Sequence, residues 1–476
     1  MKKLFLLISV TMLLFSCGNF DNGELTGVPN REMWFAPQPY GMLFIKSGSY
    51  NMGPNDQDIF WGMTAESKTV SIFAFWMDET EITNNEYRQF VYWVRDSIAR
   101  RLLAADDEDR WLIKEDDFGN DLNEVLGGEP YPLNWFERLN WGEFIENGDI
   151  SSDPLNEMFL PVQERYYRRK EIDSRKLNFE YFWIDYNQAA RKQDFGGETR
   201  RSYNYETGKY DGEVISFSQG KEGKIEPITD RSAYIMRDII NVYPDTLCWV
   251  GDFTYSYNEP MTTKYFWHPA YDHYPVVGVT WKQARAFNIW RTQLYNSFLS
   301  STGDAFVQDW RLPTESEWEY ASRGGLKEAM YPWGGYYATN YKGCYIANFK
   351  PLRGNYVSDG GFYPVIVANN DPNEWGLYDM GGNVSEWTSN AFDEAAYSYT
   401  DDLNPDYQYE ALPDDDPTLK RKIIRGGSWK DIGYYMQCGT RTYEYQDSCK
   451  SYIGFRSIRT YLGHDANDAG TGSQVY

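Results

Sequence analysis

The chain is poor in several residue types that chemistry often depends on. Its 476 residues include five cysteines, three histidines and 46 basic against 70 acidic side chains. A net charge of −24 and a pI near 4.6 leave no basic stripe to neutralise phosphates, so nucleic acid is excluded as an expected partner. The same deficit removes any attraction to anionic lipid headgroups, and contact with a membrane has to come from another source. Imidazole is confined to His268, His273 and His464, too few and too scattered for a cluster of histidine ligands. His268 and His273 flank Pro269 in an aromatic turn, where a structural role is expected. No Gly-x-Ser-x-Gly elbow marks a nucleophilic serine. Long apolar runs are also missing: the run from Leu4 to Phe15 is about a dozen residues, short of the roughly 20 that span a bilayer core.

What is present points to a folded, exported chain. Hydrophobic residues make up 42% of the sequence, which excludes disorder. Aromatics reach 18%, enough to pin a loop-rich core with large rings and to supply interfaces as well. Lys2 and Lys3 precede the apolar run, as in a signal peptide. The run ends Leu14-Phe15-Ser16-Cys17-Gly18, which resembles the bacterial lipobox. Residues 1–16 are therefore read as a signal peptide, Cys17 as the acylated N-terminus and residues 17–39 as a polar, Gly/Pro-rich tether. Several acyl chains together make a stable anchor. Gly18 is not the Asp that, by resemblance to enterobacterial sorting, retains a lipoprotein in the inner membrane, so the outer membrane is expected. Residues 40–460 read as one domain, interrupted at about 99–268 by a segment of acidic and basic clusters among many aromatics. Residues 461–476 read as a flexible tail.

Helix signals are sharp outside that segment. Thr83-Asn84-Asn85-Glu86 has the form of a capping box, followed by Tyr87, Phe90, Val91, Val94 and Ile98 on one helical face. Thr280 is placed to cap a second helix that turns Trp281, Ala284, Phe287, Trp290 and Leu294 inward. Thr314-Glu315-Ser316-Glu317 is another box, with Arg323-Gly324-Gly325 as the stop. Elsewhere Gly, Pro, Asn and Asp break up the apolar runs. The expectation is an irregular α+β fold of short elements.

Several blocks resemble the formylglycine-generating enzyme (sulfatase-modifying factor) family. They include Tyr274 to Trp281, Arg311-Leu312-Pro313-Thr314-Glu315-Ser316-Glu317-Trp318, Asn373 to Trp387, Arg425-Gly426-Gly427-Ser428-Trp429 and Ile453-Gly454-Phe455-Arg456. The resemblance implies the family's C-type-lectin-like fold with a long insertion. Enzymes of the family bind copper between two cysteines five residues apart, and soft Cu(I) needs both thiolates. Cys438 matches the second of these, but Gly433 stands at the first. No catalytic residue and no copper are therefore expected. The resemblance also implies two calcium loops, one formed by Asn348, Phe349, Asp359 and Gly361, the other by Asp379, Gly382, Val384 and Glu386. Hard oxygen donors suit Ca²⁺, although the same residues serve equally as turn formers, caps and arginine partners. Cys248, Cys344, Cys438 and Cys449 allow three disulfide pairings, of which Cys438 with Cys449 is the simplest.

A closer likeness is to a non-catalytic branch, the GldK/PorK-type lipoproteins of type IX secretion and gliding motility. The lipobox, Gly23 to Val28, Asn84 to Val91 and the long aromatic segment carry it. It implies a structural ring component at the periplasmic face of the outer membrane, self-associated and bound to a GldN/PorN-like partner. Trp111, Trp135, Tyr166, Tyr167, Tyr181, Phe182 and Trp183 are then candidate interface anchors, about half of them expected in the core instead. A formylglycine-generating oxidase and a calcium-dependent carbohydrate-binding lipoprotein are the competing readings.

Overall fold

A computed structural model describes residues 37–54, 66–115, 119–125, 130–146, 153–186, 231–256, 259–355 and 359–463. It also describes residues 189 and 357 and short pieces between 203 and 227. Cys17, the tether motif at 23–28 and His464 lie outside them. Residues Pro39–Tyr461 form one compact unit.

Two small sheets frame the unit. In the first, β1 (Met42–Ile45) pairs antiparallel with β4 (Phe75–Asp78), with Met42 opposite Asp78. On the far side of β4 lies the strand Ile458–Thr460, which in turn pairs with Trp310–Arg311. The chain ends thus close the sheet that its beginning opens. Between β1 and β4 runs the hairpin of β2 (Gly48–Met52) and β3 (Lys68–Ile72). The second sheet places Ser385–Ala391 between Arg421–Arg425, which continues to Thr442–Tyr445, and a short parallel partner, Ile453–Gly454.

Each expected helix forms from its expected cap. α1 spans Asn84–Ala104, and the Thr83 hydroxyl accepts from Glu86 N–H while the Glu86 carboxylate accepts from Thr83 N–H. α2 (Trp281–Thr302) starts on the same box between Thr280 and Gln283, and Gly303 ends it at φ +75°. α3 (Glu315–Arg323) starts on Thr314 and Glu317 and stops at left-handed Gly324. Reciprocal caps of this kind satisfy orphan donors at each N-terminus and contribute about 1 kcal/mol apiece.

Helices α1 and α2 pack through rings. Tyr87 stacks on Phe287 at 5.7 Å, and Phe90 meets Trp290 at 5.2 Å. One residue departs from the helical-face expectation: Leu294 is 47% exposed. Up to Trp290 the helix is covered on most sides. Beyond it, only the side carrying Tyr295 and Leu299 is covered, against Val307 and Trp310. Leu294 points away from that side.

The segment at 99–268 is built into the core rather than appended to it. Its two-stranded ribbon, β5 (Asn178–Ile184) against β6 (Ile235–Asn241), alternates inward and outward. Phe179 and Tyr181 face in, and Phe179 meets Phe90 edge-on at 5.3 Å. Leu155, Met158 and Phe159 join the same cluster, and Tyr87 Oη donates to the Val242 carbonyl at 3.0 Å. Of the candidate anchors, Trp111 and Tyr181 are core residues, Trp183 packs against the core and Trp135 stacks on Trp93 at 5.3 Å. Tyr166 and Tyr167 remain 71% and 78% exposed, and Phe182 also faces solvent.

Removing a buried aromatic from this ribbon should therefore weaken the whole unit. Phe179→Ala is expected to cost about 3–5 kcal/mol in one cooperative denaturant transition. An added low-stability transition beside an unchanged main one would show the segment to be a separate body.

Candidate functional site

The thiol that matches the family's second catalytic cysteine lies deep in the unit. Cys438 is fully buried, and the Ser322 hydroxyl donates to its sulfur at 3.2 Å. Burial pushes the thiol up to about 11, prevailing over the opposite pull of the Arg323 guanidinium. At Gly433 the nearest obstacle to a β-carbon would be Tyr331 Oη at 3.6 Å, ordinary contact. Its lack of a thiol is thus a property of the sequence and not of crowding. Cys438 does not bond to Cys449: both are free thiols in separate surroundings. The chain between them crosses the edge strand Thr442–Tyr445, and Cys449 Sγ then donates to Asp245 Oδ2 at 3.3 Å, near Cys248. The simplest disulfide expectation is corrected accordingly.

Cys438 is held by a buried ionic network. Arg425 donates from Nη1 to the carbonyls of Cys438 and Thr440, both at 3.0 Å, and from Nη2 to Glu315 at 2.5 Å and Glu319 at 3.0 Å. Arg441 clasps Glu315 at 2.6 and 3.1 Å. Arg323 pairs with Glu319 at 2.7 Å and donates to the Gly53 carbonyl at 2.9 Å. All five side chains are buried. Burial pushes the Glu315 carboxyl up, but Arg441 and Arg425 override it and hold the group below its ordinary value. The family motif at 425–429 flagged Arg425 in the sequence but gave it no partner.

A second network joins the two loops expected to hold calcium. The Asn348 carbonyl accepts from Asn383 N–H at 2.8 Å. Gly382, at φ +89°, sits so close that a β-carbon would lie 2.6 Å from the Asn348 oxygen. Asn348 Oδ1 accepts from Gly361 N–H at 3.0 Å, and Asp359 accepts from Tyr345 N–H at 3.2 Å. Phe349 packs with Tyr331 and Met436. In the second loop the Glu386 carboxylate is taken by Arg456, at 2.6–2.9 Å, and by Trp318 Nε1 at 2.7 Å. Glu81, missed in the sequence, is fully buried and accepts from Val384 N–H at 3.1 Å and from the Asn383 amide at 2.7 Å.

The chemistry of this donor set fits a cation in part. Asp379 Oδ2 accepts from Ala368 N–H at 2.7 Å, while its Oδ1 is buried without a hydrogen-bond partner. Burial pushes Asp379 up to about 6, prevailing over the opposite pulls of the Ala368 N–H, Arg456 and the Asn370 side chain, and Glu386 adds a smaller push. Glu81 is pushed well above its ordinary value by burial and then by Asp379 and Glu386. Orphaned Oδ1 beside excess buried negative charge suits a hard cation. Glu386, committed to Arg456 and Trp318, does not. Among the described residues no group of three or more His, Cys, Asp or Glu side chains is arranged to hold a metal. His268 has a structural role, its Nδ1 accepting from Ala270 N–H at 3.2 Å.

Raised carboxyl pKa values fix the sign of a pH effect. The folded state binds more protons than the unfolded one, so this contribution is present below about pH 4 and lost as pH rises through about 6. For Asp379 the shift corresponds to about 3 kcal/mol. With chelator present, the melting temperature should fall across this window, and Asp379→Asn should remove much of the fall. Added calcium should raise the melting temperature near neutral pH in the wild type but not in Asp379→Asn. A wild-type melting curve indifferent to calcium would show that these oxygens hold no cation.

Comparison with known proteins gives these arrangements a family. Residues 32–141 and 170–461 match the Sulfatase-modifying factor enzyme 1-like domain. The chain is 34% identical over 190 residues to inactive C-alpha-formylglycine-generating enzyme 2 of Bos taurus, covering 38% of this chain and 49% of that protein. It is 32% identical over 197 residues to formylglycine-generating enzyme of Mus musculus, covering 40% and 45%. PvdO from Pseudomonas aeruginosa aligns at 15% identity with a TM-score of 0.40, over 88% of this chain and 94% of that one. The chain spans about half the length of the curated relatives it matches. An active enzyme and an inactive counterpart both stand among them. The match extends through both compact stretches and most of the segment between them, and the chain belongs to the sulfatase-modifying factor enzyme 1-like family.

Proposed function

We propose that the chain is a non-catalytic outer-membrane lipoprotein, a structural ring component of the type IX secretion and gliding-motility machinery of the GldK/PorK type. The observation that carries the non-catalytic part is the state of Cys438. Its thiol is buried, neutral and hydrogen-bonded to Ser322, its carbonyl is held by Arg425, and Gly433 supplies no second thiol. A single sulfur cannot form the two-coordinate copper site, so the oxidase reading loses its central requirement.

The lipobox at Cys17 supports attachment to the outer membrane by acyl chains. No helix of the described residues is long and apolar enough to cross a membrane. Exposed rings at Phe136, Tyr166 and Tyr167 supply anchors for a GldN/PorN-like periplasmic partner. Repeated head-to-tail contacts close into a ring when the rotation between copies allows, and lipids hold every copy on one plane.

Fractionation and pull-down test this reading together. Cys17→Ala should leave uncleaved precursor and move the protein out of the outer-membrane fraction. The detergent-solubilised wild type should recover its partner in large particles, and Tyr166→Ala with Tyr167→Ala should reduce that recovery while the protein stays folded and lipidated. Normal processing and retention of Cys17→Ala, or a wild-type protein recovered alone, would contradict the assignment.

A further inference from the structure

A groove of about 930 Å³ opens on the side of α2, and none of Cys438, Asp379, Glu386 or Arg456 lines it. One wall belongs to the 99–268 segment: Phe182, Trp183 and Tyr186 from the end of β5 and just beyond. The rest of the lining comes from α2, from Phe306 and Trp310, and from Gln408 and Glu410. Without the ribbon the groove would be half a surface.

Charge in the groove is already balanced. Arg285 is clasped by both oxygens of Glu410 at 2.8 Å and lies 4.0 Å over the Trp183 ring. Arg311 is clasped by both oxygens of Glu317 at 2.7 and 2.6 Å. These guanidiniums are committed, which disfavours a phosphate or a carboxylate as ligand. What remains is neutral hydrogen-bonding capacity. α2 presents amides and hydroxyls, among them Gln293 and Asn296, along one side of the groove. Asn288 is 1% exposed, and its Oδ1 has no hydrogen-bond partner, although its Nδ2 donates to the Ala284 carbonyl at 3.0 Å. Ser389 Oγ is likewise buried without a partner. Both residues border the groove. Buried polar atoms left unpaired cost about 1–3 kcal/mol each, and because both atoms are closed off from solvent, a ligand hydroxyl recovers that cost once either side chain turns toward the groove.

Against these polar atoms stand exposed rings: Phe182, Tyr186 and Phe306, the last two 70% and 64% exposed. A sugar ring has the matching pair of surfaces, an apolar C–H face for a ring and a rim of hydroxyls for amides and alcohols. Pockets of roughly 300–1,000 Å³ suit a ligand of that size. We propose that this groove binds a short neutral oligosaccharide, its pyranose faces against Tyr186 and Phe306 and its hydroxyls toward Asn288 and Ser389. Binding needs no calcium, because no residue of the two calcium loops takes part. An extended peptide is the other occupant of comparable size. It would draw on strand edges and alternating side-chain pockets rather than on the side-chain amides and hydroxyls of a helix.

The test uses the purified mature chain with chelator present and a panel of neutral tri- and tetrasaccharides built from glucose, mannose and N-acetylglucosamine. Tryptophan fluorescence and calorimetry should detect at least one binder. Tyr186→Ala and Phe306→Ala, both at exposed positions, should each weaken it about tenfold, roughly 1.4 kcal/mol, with unchanged melting temperature. Ser389→Ala should weaken it in the same direction. No binding by any panel member at millimolar concentration would overturn the proposal, as would binding insensitive to all three variants. A peptide library member that binds in the groove and is lost in Tyr186→Ala, with no sugar doing so, would overturn the ligand class. None of these outcomes depends on membrane attachment or on the partner, so failure here leaves the structural reading to its own test.

Discussion

The fold depends on bringing three arginines and two glutamates out of water together. Arg323, Arg425, Arg441, Glu315 and Glu319 are buried at a point where β2, α3, the strand Arg421–Arg425 and the loop at 438–441 converge. Desolvating charges costs several kcal/mol per ion, and only near-complete hydrogen bonding offsets it. Such a cluster forms nearly whole or not at all. Helix α3 shows the consequence: each of its nine residues is buried, although four are charged. Its carboxylates and guanidinium are paired inside the protein, so the helix needs no solvated face.

This constraint also bears on Cys438. Its carbonyl is one of the acceptors that satisfy Arg425, so its backbone is fixed by the stability of the core. A position that resembles a catalytic one thus has its backbone tied into the buried ionic network. The second network acts similarly. Arg456 and Trp318 occupy Glu386, and Trp318 belongs to α3, so the two networks share a helix. What remains open to outside chemistry is the unpaired Asp379 oxygen.

Local features were legible in the sequence because their causes are local. Thr83, Thr280 and Thr314 cap their helices, and Tyr87, Phe90, Val91 and Val94 are buried as their spacing requires. The irregular α+β class follows from the same signals and from the family blocks. Leu294 escaped because periodicity describes a helix face but not where the neighbouring core stops. Long-range pairs escaped for a different reason. Glu81 meets Asn383, and Arg425 meets Glu315, across separations of 302 and 110 residues, and nothing in either stretch names its partner. The 99–268 segment looked foreign by texture, yet Phe179, Tyr181 and Val242 complete the core around α1. Polar and aromatic composition reports a segment's surface and its packing in the same letters. Of the calcium loops, the sequence named Asn348 and Gly382 in two separate sites, and neither their meeting nor the commitment of Glu386 to Arg456 was written in it.

Catalysis is the point at which this account differs from that of an active enzyme of the family. The most direct measurement incubates the purified protein with Cu(I), dioxygen and a Cys-x-Pro-x-Arg peptide, then follows the peptide by mass spectrometry and the protein by copper content. With Gly433 opposite a buried, neutral Cys438, the peptide should keep its thiol and the protein should retain no stoichiometric copper. Appearance of the formylglycine aldehyde, dependent on the protein and abolished by Cys438→Ser, would contradict the account.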